Sequence, residues 1–243
     1  SCSPNSKPMT KKMIQQTLTH FSLEIHVNTR EDFKPDPILD AVSAIFWKLD
    51  DKTYPFDFNI ETEGIMIVNP NIDNPKYSQR FTDAAGQIPI MIYESEFDML
   101  DALTDLIILF DPDILSGFEV NLSSWGYLIL RSSRIHKFNL TDELSRVTFK
   151  WKNNKFETNS RLYTHSSGTT VTGRYVLNVW RIIRANVALT QYTIENLAFT
   201  LLHERIPHFS YSDLTDMWNN MSSITYLKSL FHYWMTRVRI NIE

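Results

Sequence analysis

Residues 21–27 read Phe-Ser-Leu-Glu-Ile-His-Val, and this stretch decides the fold. Its odd-numbered positions are apolar, whereas its even-numbered positions carry Ser22, Glu24 and His26. An alternation with a period of two residues is typical of a β-strand with two different faces. We therefore expect a central strand that holds Ser22 and Glu24 side by side. Two acids at this spacing would form a candidate metal site. The question is therefore why Ser22 stands where such a site would have its second acid.

The composition indicates one α/β domain without a membrane span. The chain has 243 residues, 43% of them apolar, which is enough to bury one large core. Its net charge of −4 argues against holding nucleic acid by the overall field, although local basic stripes remain possible. The longest apolar run, residues 106–110, is far shorter than the ~20 residues that cross a bilayer. Cys2 is the only cysteine, so we expect a reducing compartment, cytosol or nucleus.

The two ends of the chain indicate a piece of a longer protein. Residues 1–17 are rich in Ser, Pro, Asn and Lys without periodicity, and we interpret them as a linker that leads into a single domain, residues 18–243. The chain begins at Ser1 without an initiator methionine and stops at Glu243 inside a helical pattern. We therefore expect the domain to be excised from a larger polypeptide.

The first half of the domain is predicted to be mostly sheet. Residues 41–49 should pair with the opening strand as an antiparallel hairpin, connected by a long loop that contains Pro35-Asp36-Pro37. Residues 65–68 and 88–92 are short apolar runs between turn residues and predict two further strands.

Helices and strands should alternate after that point. Ser95 predicts the N-cap of a helix that ends at Asp111-Pro112, and residues 114–120 predict a strand. Ser123 or Ser124 should cap the next helix. Residues 146–173 are polar and rich in turn signals, so we interpret them as an inserted β-hairpin.

Helix is predicted to dominate the last third. We expect helices over residues 176–184, after Thr193, and from Ser222 or Ser223 to the end, with a polar connection through Pro207 and Trp218 between the last two. Tyr233 and Arg237 are four residues apart on the last helix, so they should share a face.

Several motifs occur in the order found in the 3′–5′ exonuclease domain of family B DNA polymerases. This sequence resembles that family over nearly its whole length after residue 17, through residues 21–24, 35–37, 111–118, 127–131 and 173–178. The resemblance implies a ribonuclease H-like α/β fold, with a mixed central sheet flanked by helices and an inserted β-hairpin. It also implies an editing site, in which four carboxylates hold two divalent metal ions.

The first editing motif of the family is Asp-x-Glu, and its counterpart here is Ser22-Leu23-Glu24. The second is Asn-x-x-x-Phe-Asp, and Ser124 stands at the position of its aspartate. Ser123 replaces the aromatic residue of that motif, and Glu119 replaces its asparagine. Only Glu24 keeps an acid at its family position in these two motifs.

The third editing motif is Tyr-x-x-x-Asp, and it corresponds to residues 233–237. The aspartate has become Arg237 or, if the register shifts by one, Val238. A serine hydroxyl brings no charge to offset two dications, and an arginine opposes them because it stays protonated. We therefore expect no catalytic residue and no metal in this segment, and Glu24 should be held by hydrogen bonds or by a nearby arginine.

The resemblance implies an inactivated, non-editing exonuclease domain of a translesion DNA polymerase in the nucleus. The parent chain would extend mismatched primers by Mg²⁺-dependent nucleotidyl transfer at an active site outside these residues. This domain would pack against the polymerase domain of the same chain and help hold primer–template DNA, together with accessory subunits and without membrane contact.

Two alternatives stay open. One is an active exonuclease with altered ligands, in which Glu119 could stand in as an acid; the other is a pure protein-interaction module without DNA contact. Arg161, Arg174 and Arg181 are the candidate DNA contacts. Plain solvent exposure explains Arg161 at least as well, and a structural salt bridge is the better explanation of Arg181.

Overall fold

A computed structural model describes residues 17–51, 61–69, 75–147, 169–220 and 223–243. Within these ranges the chain forms a mixed α/β structure around a six-stranded sheet with the strand order β4-β3-β2-β1-β5-β6. The strands are β1 (His20–Val27), β2 (Val42–Asp50), β3 (Glu63–Val68), β4 (Ile90–Tyr93), β5 (Ile114–Gly117) and β6 (Tyr175–Asn178). The mixed central sheet is therefore confirmed.

Residues 21–27 lie in β1, near the centre of the sheet. It pairs antiparallel with β2, where Phe21 lies opposite Leu49, and parallel with β5, where Ser22 lies opposite Ser116. The predicted hairpin of β1 and β2 is confirmed. Strands β2 and β3 are also antiparallel, whereas β3–β4 and β5–β6 are parallel.

Helices cover both faces of this sheet. They are α1 (Pro75–Ala85), α2 (Glu96–Phe110), α3 (Val120–Ser123), α4 (Trp125–Arg131), α5 (Leu140–Glu143), α6 (Val179–Asn186), α7 (Ile194–Leu197), α8 (Tyr211–Asn219) and α9 (Ile224–Ile240). A π-helical turn follows α4 at Ser132–His136, and another follows α7 at Ala198–Leu202. The predicted caps of α2, at Ser95, and α9, at Ser223, are confirmed, because each side chain accepts a backbone N–H of its helix.

Both faces of β1 are buried, each against a different helix. The apolar face, which includes Phe21 and Leu23, packs with α2 in one core cluster. The polar face is covered by α9, whose Trp234 Nε1 donates to His26 Nδ1 at 3.3 Å. Helix α9 also packs on Phe46 of β2 in a second core cluster. The even-numbered residues of β1 therefore lie at a helix–sheet contact.

Two predicted elements differ in type from the observed ones. The strand expected over residues 114–120 ends at Gly117, because Glu119 caps α3 and Val120 is its first residue. The helix expected over residues 176–184 is wrong at its start: residues 175–178 pair with β5 as β6, and α6 begins only after the Asn178 cap. Pairing with a strand that is distant in sequence overrode the local helical pattern.

The polar connection expected before the last helix contains α8. Its N-terminus is a complete capping box, in which Ser210 Oγ accepts from the Asp213 backbone N–H and Asp213 accepts from the Ser210 backbone. Leu214, Met217 and Trp218 of α8 are buried in the cluster with α9. The connection is therefore partly helical.

Several expectations fall on residues outside the described ranges. These include the linker up to residue 16 and most of the inserted β-hairpin, at residues 148–168. The residues on either side of this segment lie close together, because the Arg146 backbone N–H donates to Thr172 O at 3.0 Å. In the described part of the chain, no helix is long and apolar enough to cross a membrane.

Candidate functional site

Glu24 is the centre of the predicted site, and it is 1% exposed. Its Oε1 accepts hydrogen bonds from the Phe118 backbone N–H at 2.8 Å and from Asn241 Nδ2 at 2.7 Å. Its Oε2 lies 3.6 Å from Nη2 of Arg237. The predicted hydrogen bonds and nearby arginine are confirmed.

Helix α9 and its C-cap residue, Asn241, supply most of these contacts from one face. Tyr233, Arg237 and Asn241 follow one another at intervals of four residues, which places them on the same side of a helix. Arg237 Nη1 donates to the Tyr233 hydroxyl at 2.8 Å, so the predicted shared face of these two residues is confirmed. The helix thereby docks a cation and an amide donor on the carboxylate of β1.

The guanidinium of Arg237 lies among aromatic rings as well as beside Glu24. Its Cζ is 5.7 Å from the ring centroid of Phe118, 5.5 Å from Tyr233 and 5.1 Å from Trp234, which are cation–π distances. Burial acts to lower the pKa of Arg237, but the Tyr233 hydroxyl and the Glu24 carboxylate outweigh it and raise that pKa. Arg237 is therefore a fixed positive charge at this site.

A cavity of about 310 Å³ opens beside the pair, and Glu24, Tyr233 and Arg237 line it. Two further acids in its wall, Asp32 and Glu195, already have protein donors. Asp32 Oδ1 accepts from the Tyr211 and Ser212 backbone N–H groups at 2.9 and 3.3 Å, at the start of α8.

Glu195 is the second of these acids, and its Oε1 lies 3.0 Å from His208 Nδ1. Burial acts to raise the pKa of Glu195, but the contact with His208 and hydrogen bonds from neighbouring groups outweigh it and lower that pKa. Glu195 is therefore held as a carboxylate by the protein itself.

Ser22 and Ser124 are fully buried and do not line the cavity. Within the described ranges, neither hydroxyl has a hydrogen-bond partner. Ser124 instead packs against Gly117, where a Cβ atom would lie well inside van der Waals contact of Ser124 Oγ. Of the five predicted pocket residues, Glu24, Tyr233 and Arg237 meet around the cavity, and the two serines lie in the interior.

Sequence reasoning missed Asn241 and the Phe118 backbone N–H as partners of Glu24. Asn241 could have been found, because it continues the spacing of four residues from Tyr233 and Arg237 along α9. The Phe118 N–H carries no side-chain signal, and only the approach of β5 to β1 brings it to Glu24.

Glu119 does not reach toward Glu24 as an alternative ligand in this structure. Its Oε2 accepts from the Leu122 backbone N–H at 2.9 Å, and its Oε1 accepts from Asn178 Nδ2 at 3.0 Å. It therefore caps α3 and connects that helix to the end of β6.

The arginines predicted to touch DNA have different settings. The Arg174 side chain is 3% exposed, and its guanidinium donates to Asp111 Oδ1 at 2.8 Å and to the carbonyls of Pro112 and Leu144. Arg181 is exposed on α6, and Arg161 lies outside the described residues. The DNA contacts stay predictions, and Arg174 is engaged by the protein itself.

The sequence profile of the exonuclease domain of DNA polymerase family B matches residues 2–197. The chain belongs to this family. Strand β1 carries Glu24 on the face that meets α9, whose Arg237 lies beside the carboxylate. Residues 198–243, which carry Arg237, lie beyond the matched range.

Individual relatives of this family B domain come from two kinds of polymerase subunit. The chain is 49% identical over 233 residues to the DNA polymerase zeta catalytic subunit of Saccharomyces cerevisiae and 34% identical over 242 residues to that of Homo sapiens. These matches cover 96% and 94% of the chain but only 15% and 8% of the two relatives. The DNA polymerase delta catalytic subunit of Arabidopsis thaliana is 26% identical over 134 residues, or 54% of the chain and 12% of that relative.

The residues at this site do not fit the two-metal centre that the family implies. The oxygens of Glu24 are already met by two hydrogen-bond donors and a guanidinium, and Asp32 and Glu195 in the cavity wall also have protein partners. Among the described residues, no group of three or more His, Cys, Asp or Glu side chains could hold a metal ion. The arrangement is suited to an internal ion pair, because magnesium needs several hard oxygen ligands.

Proposed function

We propose that this chain is a non-editing 3′–5′ exonuclease domain, with a ribonuclease H-like fold over residues 18–243. The observation that carries the proposal is the Arg237 guanidinium beside Glu24, with Nη2 and Oε2 3.6 Å apart. A permanent cation at this point repels divalent ions and supplies the counter-charge that a metal would otherwise provide. The domain then contributes structure instead of cleavage.

The relatives named DNA polymerase zeta catalytic subunit support a place in a larger polymerase, of which the chain would be a small part. We infer that the parent is a nuclear translesion polymerase, which extends primers by Mg²⁺-dependent nucleotidyl transfer at a separate active site. In that setting the domain is a scaffold that packs on the polymerase domain, helps to hold primer–template DNA and lies near accessory subunits. An absent editing site suits this task, because editing removes the mismatched ends that such an enzyme extends.

The test is a nuclease assay on the purified chain with a 5′-labelled single-stranded oligonucleotide and Mg²⁺ or Mn²⁺. The expected result is no metal-dependent loss of 3′ nucleotides, and a melting temperature that does not change with Mn²⁺. Glu24→Gln is the matched variant, and it should behave like the parent sequence in the assay. Degradation that disappears in Glu24→Gln would establish an active exonuclease with altered ligands and overturn the proposal.

A pure protein-interaction module is the second candidate, and the burial of Arg174 favours it. This arginine, one of three expected to touch DNA, holds Asp111 and two carbonyls instead. Charge reversal of Arg161 and Arg181 in the complete polymerase separates the two functions. Weaker primer extension supports DNA holding, whereas unchanged extension supports the interaction module.

A further inference from the structure

The solvent-facing side of α2 carries exposed apolar residues at both ends. Phe97 lies in its first turn and is 41% exposed, and Ile108 and Leu109 lie in its last turn and are 58% and 74% exposed. Ile108 and Leu109 are adjacent, so together they expose a contiguous apolar surface. Contiguous exposed apolar surface is typical of an interaction site. The opposite side of α2 is already buried, through Met99, Leu100, Leu103 and Ile107.

Three aspartates lie between these apolar ends on the same side of the helix. Asp98, Asp101 and Asp105 are exposed and spaced by three and four residues, so they form one acidic row. Asp98 already accepts a hydrogen bond from Ser95 Oγ at 2.7 Å, in the first turn of the helix. Asp101 and Asp105 are like charges four residues apart, which destabilises a helix, and no lysine or arginine of the described residues forms an ion pair with either of them. We call this surface, made of Phe97, the three aspartates, Ile108 and Leu109, the α2 face.

The charge of the α2 face selects one class of partner. An acidic row repels the phosphates of nucleic acids and of anionic membranes, so neither of them fits. A protein segment that carries lysines or arginines between apolar residues would satisfy the aspartates and cover Ile108 and Leu109 together. Such a segment would also remove the repulsion between the aspartates.

The position of the α2 face leaves the Glu24–Arg237 cavity accessible. Helix α2 packs in the core cluster on one side of the sheet, whereas α9 packs in the cluster on the other side. A partner on α2 would therefore approach the domain from the face opposite to Arg237. Binding at one face would not require any change at the other.

We propose that the α2 face is a docking surface for a basic, amphipathic segment of a partner protein. This inference rests on the proposed scaffold role and adds the surface through which a protein is held. It assigns that surface to protein contact and not to DNA.

The first test is a fluorescence anisotropy titration of the 243-residue chain with a labelled 18-residue Lys–Leu amphipathic peptide at 150 mM salt. Asp101→Asn/Asp105→Asn and Ile108→Ser/Leu109→Ser should each bind at least ten-fold more weakly than the parent sequence. The matched control is Asp83→Asn/Glu61→Gln, which removes two exposed acids elsewhere and should stay within two-fold. Equal affinity of all three variants, or equal binding of a Glu–Leu peptide, would overturn the proposal.

The second test places a photo-cross-linking p-benzoylphenylalanine at position 108 of the complete polymerase, with position 226 on α9 as the control. The expected result is an adduct at position 108 with a protein segment rich in lysine or arginine. An adduct with DNA, or equal cross-linking at both positions, would overturn the inference. The proposed function fails separately, since metal-dependent degradation of primer 3′ ends would refute it whatever cross-links to position 108.

Discussion

Nη2 of Arg237 lies 3.6 Å from Oε2 of Glu24, at the point where α9 crosses β1. Arg237 is 15% exposed and Glu24 is 1% exposed, so removing either partner leaves the other charge inside the protein. We expect Arg237→Ala to lower the free energy of unfolding by about 3–5 kcal/mol. Urea denaturation followed by tryptophan fluorescence measures this loss, because Trp234 lies next to the pair.

Arg239→Ala is the matched control, since Arg239 pairs with Glu204 and Glu243 at the surface. It should cost no more than about 1 kcal/mol. Glu24→Gln/Arg237→Gln should lose less stability than the sum of its two single variants, by about 0.5–3 kcal/mol. Purely additive losses would contradict a direct interaction between the two groups.

A second prediction concerns acid sensitivity and rests on His26. Its ring stacks on Trp218 with centroids 4.7 Å apart and accepts from Trp234 Nε1, so the other ring nitrogen carries the proton toward Asn28 Oδ1. Burial lowers the pKa of His26 to about 4, although the hydrogen bond to Asn28 opposes this shift. The native state thus takes up its proton only well below the pH at which the unfolded chain does.

Since an unfolded histidine titrates near pH 6.5, the unfolded state binds one more proton than the native state between pH 6.5 and 4. The free energy of unfolding should therefore fall as the pH drops through this window, by up to about 1.4 kcal/mol per pH unit and about 3 kcal/mol in total. Urea titrations at pH 7, 6, 5 and 4.5 measure it. His26→Gln should remove this contribution to the pH dependence of the free energy of unfolding. The control His232→Gln, at an exposed position, should keep it. If both variants show the same pH dependence, His26 is not its source.

A third prediction concerns Gly117, where β5 ends against Ser124. An added Cβ would collide with Ser124 Oγ and lie 3.3 Å from Leu23 O, so Gly117→Ala should cost about 1–3 kcal/mol through overpacking. Ser124→Gly in the same chain should recover part of that loss, because it removes the colliding side chain. Thermal unfolding of the parent, the two single variants and the double variant measures the coupling. A Gly117→Ala chain as stable as the parent would disprove the close contact.

A fourth prediction separates structural arginines from DNA-facing ones. Arg174→Gln should lower the free energy of unfolding by about 1–3 kcal/mol, because Asp111 and the carbonyls of Pro112 and Leu144 lose a buried donor. Arg181→Gln should cost less than Arg174→Gln, no more than about 1 kcal/mol, because Arg181 is exposed on α6.

Oligonucleotide binding by the same two variants completes this comparison. Once corrected for the folded fraction, Arg174→Gln should bind single-stranded dT20 as the parent does, and an intrinsic loss of affinity would show that Arg174 reaches DNA. If Arg181 contacts phosphate, Arg181→Gln should weaken binding and reduce its dependence on salt concentration.

Local patterns predicted the elements whose sequence and environment agree. Strand β1 is recognisable because its alternation matches two buried faces of different chemistry, and α2 and α9 because their apolar spacing and serine caps are intact. Strand β6 was mistaken for helix because Val176 and Leu177 suit either state, and only the backbone of β5 decides between them. Helix α8 was missed although Ser210 and Asp213 form a capping box.

The candidate site was predictable to the extent that its residues stand at recognisable motif positions. The proximity of Arg237 to Glu24 followed from aligning residues 233–237 with a motif, and the shared face with Tyr233 followed from helical spacing. The Phe118 N–H could not be predicted, because backbone donors have no residue signature. Arg174 is buried because residues 111–112 and 144, which are distant in sequence, lie around it. The local sequence therefore could not predict its burial.

The ion pair between α9 and β1 also makes it difficult for single mutations to convert this site into a carboxylate-rich one. Arg237→Asp alone would place a second acid beside the buried Glu24, and Ser22→Asp alone would bury an acid where the serine hydroxyl has no hydrogen-bond partner among the described residues. Each single step toward a carboxylate-rich site therefore passes through a less stable protein. A chain that carries this arginine must therefore change several positions together to gain such a site.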